Sequence, residues 1–165
     1  MHIPLAIHLS IHFLLAVLAG FLVGRYFGKV KLGIIAGILG GFLIDLDHVL
    51  EYFFVFGPRF NLQYFIQGRE FLVSNRIMSI FHGWEYIPLL LLAAWLLRAR
   101  RNVAIFLVAL TVGGFVHLMS DCVLNAYPPR NYSIIYRASK GFDSSYILSP
   151  AQLELNDQYR AELGL

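Results

Sequence analysis

An all-α integral membrane protein, four helices crossing the bilayer as a bundle with a short C-terminal helix outside it, is the fold class that three observations predict. The first is composition: 58% of the 165 residues are hydrophobic and 14% are charged, against roughly a quarter charged in an ordinary soluble domain. The second is the recurrence of apolar stretches about 20 residues long, the length that crosses a hydrocarbon core of roughly 30 Å. The third is that the short loops between them carry clustered Lys and Arg.

Four stretches reach spanning length: about 3–24, 32–54, 77–97 and 103–124. The first has no Lys or Arg before Arg25. It lacks the positive start of a signal peptide, and is expected to stay as mature structure. "RYFGKVK" (Arg25, Lys29, Lys31) joins spans 1 and 2, and "RARRN" (Arg98, Arg100, Arg101) joins spans 3 and 4. Their density of positive charge predicts that this side faces the cytoplasm, the expected location being the cytoplasmic membrane of a prokaryote. Trp84, Tyr86, Tyr52 and Tyr127 then form an outer aromatic belt, with Tyr26 and Trp95 on the inner one. Gly20, Gly24 and Gly28, and likewise Gly33, Gly37 and Gly41, recur every four residues and predict a ridge for close helix packing. Residues 1–127 form the membrane bundle on this reading, and 128–165 an interfacial segment with a short helix. That helix starts at "SPAQ" (Ser149–Gln152), a capping box with Pro at the first helical position, and runs to about Leu163.

A net charge of +3 with a pI near 9.1 does not indicate nucleic acid, because the 13 basic residues lie singly or in loops rather than along one face. The single cysteine, Cys122, allows neither an intrachain disulfide nor a thiolate zinc site. No Gly-x-Ser-x-Gly elbow, phosphate loop or dinucleotide fingerprint occurs.

The ionisable residues inside the spans carry the functional argument. Each costs about 2.5–3.5 kcal/mol to insert, so those that persist pair, ligate or catalyse. Span 1 has His8 and His12 near its start, and span 2 has Asp45, Asp47 and His48 near its end. Span 3 has His82 and Glu85 near its start, and span 4 has His117, Asp121 and Asn125 near its end. Spans alternate in direction, so all four sets belong to one face of the membrane, on the order of 8–15 Å below the outer boundary at the helical rise per residue. Of the six histidines only His2 stands apart. The pairs His8/His12, His117/Asp121, Asp45/His48 and His82/Glu85 are three or four apart, each sharing one helical face. Asp47 must point away from Asp45 and His48 on a regular helix, unless the helix unwinds there.

Imidazole and carboxylate without thiolate suit Zn²⁺, with Mn²⁺ or Fe²⁺ as alternatives, and more than four ligands suggest two ions or more. Divalent ions also neutralise carboxylates that would otherwise repel one another inside a dry bundle. His12, Asp45, His82, His117 and Asp121 are the expected ligands. His48 is a further ligand or an orienting group, and Asp47 or Glu85 is the general base. Glu85 has a second reading as the residue that orients His82, while His8 and Asn125 stay unassigned.

This pattern resembles the YdjM-like (LexA-regulated) family of membrane-bound metal-dependent hydrolases. The resemblance covers roughly residues 8–127 and is carried by His12, "DLDH" (Asp45–His48), "FHGWE" (His82, Glu85) and "HLMSD" (His117, Asp121). Members often have Pro before the first Asp, where this chain has Ile44. The family is distantly similar to zinc-dependent phospholipase C, which implies phosphoester chemistry by analogy. The expectation is therefore a membrane-embedded hydrolase acting on a lipid or phospholipid-like substrate, with its site toward the non-cytoplasmic side. Two competing classes remain: a metal or proton transporter, and a metal-stabilised bundle without turnover. The inner halves of the spans carry no ionisable group, which favours a blind pocket over a conduit. Arg130, Arg137 and Lys140 in the tail either bind anionic headgroups or simply anchor the chain.

Overall fold

The structure is a computed structural model that describes residues 4–164; His2 and the first residue of the expected span 1 lie outside the described residues. Among the described residues there is no β-strand, and the α-helices in chain order are α1 (Leu5–Phe27), α2 (Val30–Gly41), α3 (Leu46–Phe56), α4 (Leu62–Ile66), α5 (Arg69–Val73), α6 (Tyr86–Leu96), α7 (Arg101–Leu124), α8 (Ile134–Ser139) and α9 (Pro150–Leu163). Three helical runs, Leu5–Phe27, Val30–Phe56 and Arg101–Leu124, are long and apolar enough to cross a membrane. Two compact units interleave along the chain: one takes the described residues up to Ile44 and His82–Ser133, the other Asp45–Phe81 and the described residues from Ile134.

In the first unit α1, α2 and α7 pack on one another, and α6 packs on α7. Small residues make that packing close. A Cβ on Gly37 would lie 2.6 Å from the Ala16 carbonyl oxygen, and one on Gly113 would lie 2.5 Å from that of Gly37. Neither position has room for a side chain, so backbone meets backbone. The expected ridge is thus real for Gly20, Gly24, Gly33, Gly37 and Gly41, and α7 joins it through Gly113. Gly28 has another task. It ends α1 in the left-handed conformation (φ 70°), where the Gly28 and Lys29 amides bond the Arg25 and Gly24 carbonyls. The surfaces turned away from these contacts are apolar: Leu14, Leu18 and Leu22, four apart on α1, are all more than half exposed, as are Ile35, Leu89 and Trp95. Buried histidines and exposed leucines invert the soluble pattern.

The stretch expected as a third span, 77–97, is helical only over Tyr86–Leu96. At 1.5 Å per residue α6 is about 16 Å long, roughly half of the hydrocarbon core. Upstream, the amides that a continuous helix would use are spent elsewhere. Those of Met78 and Ser79 bond the Glu51 carboxylate, and Ser79 adopts a positive φ of 35°. Within the first unit the Trp84 amide bonds the Tyr132 carbonyl.

Span 2 also departs from a regular helix. α2 stops at Gly41, Phe42 leaves helical geometry (φ −130°), and Leu43–Asp45 form a 3₁₀ turn before α3 begins. The helix thus breaks next to Ile44, with no Pro in the break.

The second unit gathers α3, α4 and α9 around α5. Helix α9 carries the expected capping box, with the Ser149 amide donating to Gln152 Oε1 at 2.9 Å. It docks through Arg69, whose guanidinium lies 4.4 Å from the Tyr64 ring centre and 4.1 Å from that of Tyr159, and pairs with Glu162 at 3.0 Å. Arg160 adds a bond to the Val73 carbonyl at 2.8 Å. This unit buries charge too: Glu51 accepts from the Met78 and Ser79 amides at 2.7 and 3.0 Å, and buried Arg137 donates to the Ser79 carbonyl at 2.8 Å. Burial pushes the Glu70 carboxyl up to about 8, and its Oε2 has no hydrogen-bond partner among the described residues.

Candidate metal centre

Helical periodicity delivers most of the donors in the first unit. On α1, His8 and His12 stand one turn apart with Nε2 atoms 2.7 Å from each other. On α7, His117 and Asp121 are likewise one turn apart, Nε2 to Oδ2 3.2 Å. His82 comes from the segment before α6, and its Nε2 lies 3.0 Å from that of His117 and 3.5 Å from Asp121 Oδ2. The Asp121 carboxylate is the hub. Its Oδ1 lies 3.4 Å from His8 Nε2 and 3.1 Å from His12 Nε2, while its Oδ2 faces His82 and His117. Two trios, His8/His12/Asp121 and His82/His117/Asp121, therefore share one carboxylate, the donor atoms of each within 4.8 Å of one another. Donors held 2.0–2.1 Å from a tetrahedral ion stand about 3.3 Å apart. His12, His82, His117 and Asp121 are at most 3% exposed, so the centre is nearly dry.

Hydrogen bonds at the far side of two rings decide which nitrogen faces the carboxylate with a lone pair. His117 Nδ1 lies 3.1 Å from the Gly41 carbonyl oxygen. A carbonyl only accepts, so Nδ1 carries the hydrogen. For His12 the partner is Ser120 Oγ at 3.0 Å, and that hydroxyl gives its own hydrogen to the His117 carbonyl at 2.8 Å. Ser120 must then accept from His12 Nδ1–H. Both neutral rings thus turn a bare Nε2 toward Asp121, at 3.1 and 3.2 Å. Lone pair against anion is repulsive, and it is relieved by a cation or by hydrogens on the neighbouring rings, His8 Nε2 standing 2.7 Å from His12 Nε2 and His82 Nε2 3.0 Å from His117 Nε2. Divalent cations would use the bare Nε2 lone pairs together with the carboxylate, and the Gly41 and Ser120 bonds are the kind of outer-sphere contact that orients metal-ligating histidines.

Beyond the hub, Asn125 extends the α7 stripe by one more turn. Its Nδ2 bonds Asp121 Oδ1 at 3.3 Å and Tyr132 Oη at 3.0 Å. Tyr132 is 8% exposed. Burial, reinforced by the charge of Asp121, pushes its phenol above the usual tyrosine range. Glu85 stands before the first turn of α6 and accepts from Ser133 Oγ. Because residues 82–85 precede the helix, His82 and Glu85 do not share a helical face.

Asp45, Asp47 and His48 come together in the second unit. His48 Nε2 lies 3.7 Å from Asp45 Oδ1 and its Nδ1 3.6 Å from Asp47 Oδ1. Both carboxylates flank the ring, Asp47 from the adjoining position on α3 and Asp45 from the 3₁₀ turn before it, whereas Asp47 was expected to point away. Asp47 Oδ2 also accepts from the Phe81 amide at 2.9 Å.

Sequence reasoning left His8 unassigned and gave no role to Ser120 or Tyr132. Ser120 sits three residues after His117 in "HLMSD", a spacing that puts it on the adjoining helical face. Nothing in the local pattern marks Tyr132.

No family model, curated protein or solved structure matches the chain. What the fold and site define is a class: a helical protein with three helices long and apolar enough to cross a membrane, and a buried His/Asp cluster able to hold a metal ion.

Proposed function

We propose that the chain is a membrane-embedded, metal-dependent hydrolase of the phosphoester class, its four-helix bundle holding two divalent ions, Zn²⁺ by preference. The observation that carries this reading is the shared Asp121 carboxylate. One oxygen faces the His8/His12 pair and the other faces His82/His117, so these four histidines and Asp121 would together hold the ions. Nitrogen and oxygen donors without thiolate suit zinc, with manganese and iron as alternatives. What bound ions supply to hydrolysis is a water acidic enough to attack near neutral pH and a Lewis acid for the phosphoryl oxygens.

The chain's own residues do the rest. Gly41 and Ser120 fix the His117 and His12 tautomers, and Glu85, the other carboxylate of the first unit, takes the general-base role. Dryness excludes competing water and strengthens every charge interaction at the hub. Membrane-length apolar helices with exposed leucines support a lipid as the molecule that meets the site. Basic loops at Arg25–Lys31 and Arg98–Arg101 support a non-cytoplasmic opening. Resemblance to the YdjM-like family points the same way. A conduit is disfavoured, because α1, α2 and α7 close backbone to backbone at Gly20, Gly33, Gly37 and Gly113.

The test is elemental analysis and phosphate release on the full chain in detergent, with phosphatidic acid as substrate. Stoichiometric zinc and phosphate release, both abolished in His82→Ala, are expected. A metal-free wild-type protein overturns the reading, and so does a metal-loaded one that turns over no phosphoester.

A further inference from the structure

Tyr132 is the group around the candidate centre whose hydrogen bonding is only half spent. It reaches that position through a staple. After α7 the chain turns at Ala126 (φ 54°) and passes Pro128 into the 3₁₀ turn Pro129–Tyr132. There Trp84 clamps it twice, its amide bonding the Tyr132 carbonyl at 3.0 Å and its indole Nε1–H the Pro129 carbonyl at 2.7 Å. The phenol ring lies with its centre 6.4 Å from that of His82, and Oη contacts Asn125 Nδ2 at 3.0 Å.

Who donates in that last contact is fixed by chemistry. The same Nδ2 touches Asp121 Oδ1. A carboxylate only accepts, so the amide nitrogen must face it, and an amide oxygen turned there would meet an anion. The nitrogen has two hydrogens, one for Asp121 and one for Tyr132. Tyr132 Oη is therefore an acceptor, and its own hydrogen has no acceptor among the described residues. A buried O–H left in this state costs stability unless something else receives it.

We infer that Tyr132 is a catalytic residue that donates its phenolic hydrogen bond to a phosphoryl oxygen of the substrate. The inference rests on the proposed phosphoester reading and adds a residue to it. Tyr132 keeps its proton throughout: a phenolate here would stand one amide away from the Asp121 carboxylate, two anions in a buried site. The role is thus a fixed donor for developing charge, the type of contact whose loss lowers turnover by about 10²–10³-fold.

Tyr132→Phe removes the oxygen and nothing else. The experiment compares full-chain wild type and Y132F, both zinc-loaded in detergent, and titrates each with inorganic phosphate by calorimetry and ultraviolet difference spectroscopy. A second arm uses phosphatidylcholine bilayers with and without phosphatidic acid. Expected are equal zinc contents, phosphate affinity weaker in Y132F by about tenfold, and a tyrosine difference spectrum seen only in wild type. Dependence on Tyr132 in either arm supports the assignment and identifies whether free phosphate or the lipid headgroup supplies the oxygens. Equal affinities in both arms overturn it, and so does a zinc-loaded wild type that binds neither phosphate nor phosphatidic acid. Loss of zinc in Y132F also overturns it, because Tyr132 would then support the ligands. A wild type that holds no zinc defeats the hydrolase reading itself, and this donor role with it, a result distinct from all of these.

Discussion

The two units bury ionisable groups in opposite ways. In the second, the Glu51 carboxylate is answered by the amides of Met78 and Ser79 and by the Ser79 hydroxyl, Asp47 by the Phe81 amide, and Arg137 donates to a carbonyl. Backbone dipoles carry those charges. In the first, four histidine nitrogens and one carboxylate converge, and the far-side bonds of His12 and His117 turn lone pairs, not hydrogens, toward Asp121. Equal burial therefore has unequal meaning: one set of charges is met mainly by backbone amides and carbonyls, and the other forms a nitrogen-and-oxygen donor set suited to a cation.

The sharpest way to break this contrast is to remove the hub. Asp121→Ala should drop bound zinc to background and abolish turnover, read by elemental analysis of the folded variant. Glu51→Gln in the other unit should leave zinc content unchanged, and a parallel loss there would erase the distinction.

Next in size is the packing that holds the first unit's helices. Gly37→Val places methyl groups where a Cβ already meets the Ala16 carbonyl at 2.6 Å. Destabilisation of about 1–3 kcal/mol or more is expected, seen as a lowered thermal midpoint in detergent. An unchanged midpoint would mean that α1 and α2 are not in backbone contact.

Ser120→Ala probes orientation without touching a donor atom. Losing the acceptor for His12 Nδ1–H should weaken zinc binding by about 10–100-fold while stability holds, measured by chelator competition. Full retention of affinity would detach the tautomer argument from metal binding.

Glu70 sharpens the other side. Its folded pKa of about 8 lies above the ordinary 4.5, so between those values the folded state keeps a proton that the unfolded chain has lost. Stability of the second unit should fall as pH rises from about 4.5 to about 8 and level off above, at up to about 1.4 kcal/mol per pH unit. Glu70→Gln should flatten that slope in hydrogen exchange of α5. A slope unaltered by the substitution would assign it to another group.

Much of this was legible in the sequence, for reasons specific to each feature. The four-residue spacings of His8/His12 and His117/Asp121 survive because α1 and α7 are regular helices, and there periodicity is geometry. The Gly33/Gly37/Gly41 ridge was readable because only glycine admits backbone contact at that depth. The capping box at Ser149 was readable because capping chemistry is local. Where long-range hydrogen bonds override local preference, reading failed. The stretch 77–85 is apolar enough for a helix, yet Glu51, 27 residues before Met78, takes its amides. Tyr132 is placed by Trp84, and no local pattern encodes a contact between residues so far apart. Gly28 shows the opposite error, a residue fitting a spacing but serving as a helix cap.

One measurement reaches the centre of this account: X-ray absorption at the zinc edge of the zinc-loaded full chain, alongside Asp121→Ala. The account predicts a first shell of nitrogen and oxygen at about 2.0–2.1 Å with imidazole scattering, absent from the variant. A wild type that binds no transition metal, or holds it in a shell without imidazole, would contradict it.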